Sequence, residues 1–293
     1  MAVLPRVAAL VAALLLAGCS AAEDRSTSRP SAAASASAAP SASPAPSASP
    51  GPSASPAPAA AVGTTLLALG DSVAAGIGAE DPARRGYVPV LADVLSDRSG
   101  CVEGAGAGCP VQVRNLAEPG ATTGTLLRTQ LPAALEVLQQ SDDVRVVTVT
   151  IGGNDVFVPI LRACAQEPQA ATCVEAVRAA LGEVDEGVDR LLGELAAAAG
   201  PGTTVAVMTY YDPLAACRLA PLQPLAEQVL EGTAAEDGLN DVLRARAAEH
   251  GAVPVETRGL LTAPQDFVGG LDCLHPSTAG HARIAQVFAD ALP

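Results

Sequence analysis

Apolar residues along this chain recur with two periods. Five short runs rich in Val, Leu, Ile and Thr read as buried strands: Thr64–Leu69, Val111–Leu116, Arg145–Ile151, Thr204–Thr209 and Val253–Glu256. Between them, Tyr87–Leu95, Thr125–Leu138, Cys173–Ala199 and Leu222–Glu249 carry the helical period. In Cys173–Ala199 the residues Val174, Val177, Leu181, Val184, Val188, Leu191 and Leu195 recur at spacings of three and four, which makes one apolar stripe. A last helix is predicted over Thr278–Leu292, capped by Ser277, with Ile284, Val287, Phe288 and Leu292 inward. Strands alternating with helices predict a parallel sheet covered on both faces. In such sheets function gathers at the carboxyl ends of the strands, near the switch point.

Residues 1–61 follow neither period. Met1–Gly18 carries one positive charge, Arg6, then the apolar run Val7–Leu16, then small residues, which is the anatomy of a signal peptide. The run is too short for a comfortable membrane span. Leu16-Ala17-Gly18-Cys19 resembles a bacterial lipoprotein processing box, in which Cys19 would become the lipidated first residue. An ordinary secretory signal cleaved nearby is the alternative. Residues 19–61 are mostly Ser, Ala and Pro; they cannot build a core and read as a disordered, semi-extended tether. Residues 62–293 remain for one globular domain.

Composition narrows the function classes. The net charge is −14, which argues against nucleic acid and against an anionic membrane surface as partners. Any membrane contact is therefore expected through a lipid anchor only, on an exported monomer. Aromatic residues make up 2% and Trp is absent, so the core must be aliphatic. Setting Cys19 aside leaves six cysteines, an even number that suggests disulfides in an exported domain. Six allow 15 connectivities. Cys101–Cys109, Cys164–Cys173 and Cys217–Cys273 are favoured, the first two because they are close and flank loop residues. No CxxC occurs and there are only 3 His, so no metal site or cofactor is expected.

Four segments carry candidate chemistry. Leu69-Gly70-Asp71-Ser72 runs a strand into a Gly and then a Ser, whose hydroxyl needs a base to become nucleophilic. Ala74 stands where the G-x-S-x-G elbow wants Gly, so that elbow is absent. Asp71 reads as a turn residue. Asp272-Cys273-Leu274-His275-Pro276 is an irregular segment in which Asp272 could hold the second nitrogen of a His275 base. His250 reads as a helix-end residue and His281 as a packing residue. Ile151-Gly152-Gly153-Asn154-Asp155 ends a strand at a side-chain amide able to donate to an oxyanion. Glu118-Pro119-Gly120 ends another, with a backbone N–H that could do the same. Each segment alone also fits a plain turn or cap.

Together, in this order and at strand ends, Gly70-Asp71-Ser72, Gly120, Gly152-Gly153-Asn154-Asp155 and Asp272–Pro276 resemble blocks I, II, III and V of the SGNH (GDSL-type) hydrolases. The resemblance spans Leu66–Leu292. It implies an α/β fold, a flavodoxin-like three-layer α/β/α sandwich on a parallel sheet of about five strands. It also implies Ser72 as nucleophile, His275 as base, Asp272 as its orienter, and the Ser72 and Gly120 N–H groups with the Asn154 side chain as oxyanion hole. The six cysteines resemble the disulfide-bonded exported branch of these lipases and esterases. The expected reaction is hydrolysis of a small acyl ester of modest length. Tyr210 and Tyr211, at the end of the fourth strand, are expected to line the pocket. A carbohydrate O-deacetylase is one alternative, and a non-catalytic envelope-binding lipoprotein is another.

Overall fold

The computed structural model describes residues 64–98, 110–164, 170–214, 223–233, 236–270 and 272–293. Its centre is a parallel sheet of β1 (Thr65–Gly70), β2 (Gln112–Asn115), β3 (Val144–Thr150), β4 (Thr204–Met208) and β5 (Val253–Val255) in the order β2-β1-β3-β4-β5. β1 is buried along its whole length, because it lies inside the sheet under helices, whereas β2 is an exposed edge. The order reverses between β1 and β3, so the loops leaving those two strands diverge and open a crevice at their carboxyl ends.

The helices are α1 (Pro82–Arg85), α2 (Tyr87–Arg98), α3 (Thr123–Gln140), α4 (Gly153–Cys164), α5 (Ala171–Ala198), α6 (Gln223–Glu231), α7 (Leu239–His250) and α8 (Thr278–Ala291). α2 packs on α8, where Tyr87 and Phe288 stack with ring centroids 5.0 Å apart, and α5 packs on α3, α4 and α7. This is the α/β sandwich with a five-stranded parallel sheet that the alternation of elements predicts. The core is aliphatic: Leu66, Leu67, Leu69, Val147, Val149, Leu191 and Leu195 have no exposed surface.

Three readings of the sequence need correction. The helix expected over Leu222–Glu249 is two helices, α6 and α7. The backbone turns at Gly232 (φ +69°) and returns so close that a Cβ there would meet the N of Gly238 at 2.5 Å. Asp272–Pro276 is not irregular: it is strand β7, antiparallel to β6 (Phe267–Gly269) in a separate two-stranded hairpin. The apolar stripe of α5 is buried from Val184 onward, while Val174 is 38% exposed. Its 28 residues span roughly 42 Å, about twice the length of the strands it covers, so its first turns overrun the sheet.

Cys164 at the end of α4 is disulfide-bonded to Cys173 in the first turn of α5, and both are buried. The expected signal segment, the tether with Cys19, and Cys101, Cys109, Cys217 and the side chain of Cys273 lie outside the described residues. Among the described residues no helix is long and apolar enough to cross a membrane.

Candidate active site

Ser72 stands two residues beyond β1 on a turn that is held from several sides. Gly70 takes φ +145°, and a Cβ there would strike the Thr150 carbonyl of β3, so the close approach of the two strands requires glycine. The buried Gln130 amide of α3 pairs with Gly70, donating to its carbonyl and accepting from its N–H, each at 2.8 Å. Asp71 is buried and accepts from Val73 N–H (2.9 Å), Thr150 Oγ1 (3.1 Å) and the Tyr210 hydroxyl. Burial pushes its carboxyl up, opposed chiefly by the bond from Tyr210 and the Val73 N–H. Asp71 thus shapes the turn, as its place in the sequence suggests. Asn115, at the end of β2, donates to the Ala74 carbonyl at 2.7 Å and ties the far side.

His275 reaches this turn from β7. Its Nε2 is 2.9 Å from Ser72 Oγ, and its Nδ1 is 2.8 and 3.0 Å from the two Asp272 oxygens. The backbone N–H groups of Leu274 and His275 also donate to Asp272, at 3.3 and 3.2 Å. Burial alone would raise the Asp272 carboxyl, but the His275 side chain, its charge and these N–H groups outweigh it, and the pKa lies below the ordinary value. With Nδ1–H directed at Asp272, Nε2 offers its lone pair to the Ser72 hydroxyl. The hairpin is seated by Asp266, a buried carboxylate that accepts from Thr262 N–H, Ala263 N–H and Arg283, and whose carbonyl accepts from Ser277 N–H.

Gly120 and Asn154 follow the neighbouring strands β2 and β3. Gly120 takes φ +79° after Pro119, in a turn closed by Ala121 N–H on the Glu118 carbonyl at 3.0 Å. Glu118 N–H in turn donates to the Gly70 carbonyl at 3.0 Å, joining this loop to the serine turn. Asn154 Nδ2 donates to the Ala121 carbonyl at 2.9 Å, next to Gly120. Asp155 accepts from Thr123 N–H and Thr123 Oγ1 and so fastens α4 to the start of α3. Among the described residues the N–H groups of Ser72 and Gly120 have no hydrogen-bond partner.

The structure therefore brings Ser72, His275 and Asp272 into one relay and sets Gly120 and Asn154 on the adjacent strand ends. It corrects the expectation for Tyr210 and Tyr211. Both are buried rather than pocket-lining, because the chain leaving β4 passes beneath the α4 turn and the β6–β7 hairpin. His250, at the end of α7, bonds Asp189 at 2.8 Å. His281 is fully buried and donates from Nε2 to the Ile77 carbonyl at 2.9 Å. Among the described residues, Asp189, Glu249 and His250 could gather on a cation, but Arg246 already pairs with both carboxylates. Gln130, Thr150 and Asn115 carry no local signal, since their partners Gly70, Asp71 and Ala74 lie 60, 79 and 41 positions away in the chain.

A family model described as GDSL-like Lipase/Acylhydrolase matches residues 68–283. Among solved structures, a lipase from a goat rumen metagenome is 18% identical, with a TM-score of 0.59 over 78% of this chain and 97% of that one. An extracellular lipase from Streptomyces rimosus is 21% identical, with a TM-score of 0.54 over 78% and 99%. A phospholipase A1 from Streptomyces albidoflavus is 22% identical, with a TM-score of 0.54 over the same shares. At these identities the likeness is one of fold. No curated protein matches the chain by sequence. The family match covers well over half of the chain and takes in every residue of the relay and its neighbouring strand ends: this protein belongs to the GDSL-like lipase/acylhydrolase family.

Proposed function

We propose that the protein hydrolyses carboxylic esters through an acyl-enzyme on Ser72. The observation that carries this reading is the relay of Ser72 Oγ, His275 and Asp272, with 2.9 Å on one side of the imidazole and 2.8 Å on the other. His275 Nε2 takes the hydroxyl proton as Oγ attacks the acyl carbon, and returns it to the leaving alkoxide. Water, deprotonated by the same nitrogen, then releases the acid. Asp272 fixes the tautomer and stabilises the imidazolium. The partnerless N–H groups of Ser72 and Gly120, together with the Asn154 amide, are the donors for the oxyanion.

A groove of about 680 Å³ adjoins Asn154, lined among others by Thr122, Leu127, Arg128, Glu183 and Arg190. It does not include Ser72 or His275. Its mixed charge suits a short acyl ester of a polar alcohol better than a long bare chain. An acetylxylan esterase also shares the fold, at 19% identity and a TM-score of 0.53. The charged side chains of that groove, Arg128, Glu183 and Arg190 near Asn154, favour sugar deacetylation as the second reading. In the same proposal the enzyme is exported and held at the membrane by a lipid on Cys19, with residues 19–61 as tether; Cys19→Ala should move it from the membrane fraction to the medium.

The test is hydrolysis of p-nitrophenyl esters from acetate to palmitate, and of acetylated xylan, by the whole protein beside Ser72→Ala. Activity lost in the variant supports the reading, and the profile selects the substrate class. Equal rates in both proteins refute it.

A further inference from the structure

We propose that Tyr210 and Tyr211 are positioning residues that together set the distance between Ser72 and His275. The inference rests on the reading of those two residues as nucleophile and base. The tyrosines are adjacent in the chain just beyond β4, and in extended chain neighbouring side chains leave on opposite sides. Each phenol therefore reaches a different arm of the relay.

Tyr210 serves the serine arm. Its hydroxyl donates to Asp71 Oδ2, one residue before Ser72, while the other Asp71 oxygen holds the Val73 N–H, one residue after it. The ring also lies against Gly153, where a Cβ would stand 2.7 Å from Tyr210 Cε1. One phenol thus touches both the turn that carries Ser72 and the turn that carries Asn154.

Tyr211 serves the histidine arm. Its hydroxyl donates to the Leu274 carbonyl at 3.0 Å, one residue before His275, and its ring meets Phe267 of β6 edge-on at 5.9 Å. It therefore grips both strands of the hairpin. The two phenols share one backbone anchor. Asn240 of α7 donates to the Tyr210 carbonyl (2.9 Å) and accepts from the Tyr210 N–H (2.6 Å), and its amide is in turn held by Glu231 at 2.6 Å. Both arms of the relay are thereby referred to one fixed point of the sheet. Packing alone would be met by phenylalanine, which fills the same volume. The hydroxyls are what reach the polar groups beside the two reacting residues.

The experiment uses the whole protein with Tyr210→Phe, Tyr211→Phe and the double variant, assayed on p-nitrophenyl acetate. Folded fractions come from circular dichroism and thermal melting, and rates are expressed per folded protein. Displacement by about 1 Å can cost a hundredfold in rate, so each single variant should lose at least about tenfold in kcat with KM unchanged. The losses should not multiply in the double variant, because both act on one distance. Variants that melt lower yet keep wild-type kcat would make the tyrosines structural only and overturn the proposal. A rise in KM at unchanged kcat would do the same. An inert wild-type protein would instead overturn the reading of Ser72 and His275 on which the inference stands, an outcome distinct from both.

Discussion

Replacing Asp272 by Asn keeps the size of the side chain but reverses what His275 meets. The carboxylate accepts the Leu274 and His275 N–H groups through Oδ1, and the imidazole Nδ1 through both oxygens. An amide can keep its oxygen on the two backbone groups, so the β6–β7 hairpin should stand. Its nitrogen then faces Nδ1, which must accept. The imidazole proton moves to Nε2, the atom 2.9 Å from Ser72 Oγ, and the serine loses its base. In Ser-His-Asp hydrolases such an inverted imidazole lowers kcat by about 10⁴-fold, a barrier of about 5.5 kcal/mol. Here the two side chains are 27% and 36% exposed, so water can partly rescue the tautomer. The expected loss is therefore about 10³- to 10⁴-fold in kcat, with KM unchanged. Rates of the variant and the wild type on p-nitrophenyl acetate measure it. Stability gives a second signature. The Asp272 pKa is depressed in the folded protein, so its contribution is present above the unfolded carboxylate pKa and is lost as pH falls through the folded one. The Asn variant should lack that acid-side loss. A drop of less than tenfold in kcat, in a folded variant, would refute the assigned role.

Three further outcomes are expected. Gly78 takes φ +99°, and a Cβ there would crowd the Pro276 carbonyl, Val268 Cγ2 (2.8 Å) and His275 Cβ (3.2 Å); Gly78→Ala should lower stability by about 1–3 kcal/mol and slow ester hydrolysis, and wild-type kinetics would contradict the packing described. The Cys164–Cys173 bond closes a short loop with a sequence separation of 9; replacing both by Ser should reduce the unfolding free energy in urea by about 2–3 kcal/mol in the chain-entropy account, and an unchanged midpoint would show the bond to be energetically idle. Burial holds the His281 imidazole below its ordinary value, helped by the charge on His275 and opposed by the Ile77 carbonyl. The unfolded chain therefore takes up that proton first, and stability falls as pH drops below the unfolded value of about 6.5; His281→Leu should flatten this slope in pH-dependent melts, and an identical slope would exclude His281 as its source.

Gly70-Asp71-Ser72, Gly152-Gly153-Asn154 and Asp272–His275 were legible as chemistry because each sets an uncommon residue pairing against the end of a strand or the start of a helix. The supports of those residues were not. Gln130 reads as one of several polar positions in an amphipathic helix, and only the fold shows its amide closing on Gly70 sixty residues away. The division of Leu222–Glu249 did have a local signal, since Gly232 and Gly238 both interrupt the helical pattern. The hairpin of β6 and β7 has one as well, Gly269-Gly270, both at positive φ, but three-residue β6 becomes a strand only through its partner.

The chain by itself determined the five strands of the parallel sheet and their alternation with helices. Strand bounds read from Val, Leu, Ile and Thr runs match β1 to β5 within two residues; burial on both faces selects those residue types along β1, β3 and β4, whereas β2 is exposed throughout. It also determined that Ser72, Gly120 and Asn154 fall at strand ends, where a parallel sheet gathers function. Tertiary structure decided the rest. The approach of His275 to Ser72 spans 203 positions and depends on where the β6–β7 hairpin docks. The fate of Tyr210 and Tyr211 turned on what covers them: nothing in two adjacent aromatic residues at a strand end distinguishes a pocket wall from a buried strut. That distinction belongs to α4 and the hairpin above them, elements that the local pattern does not place.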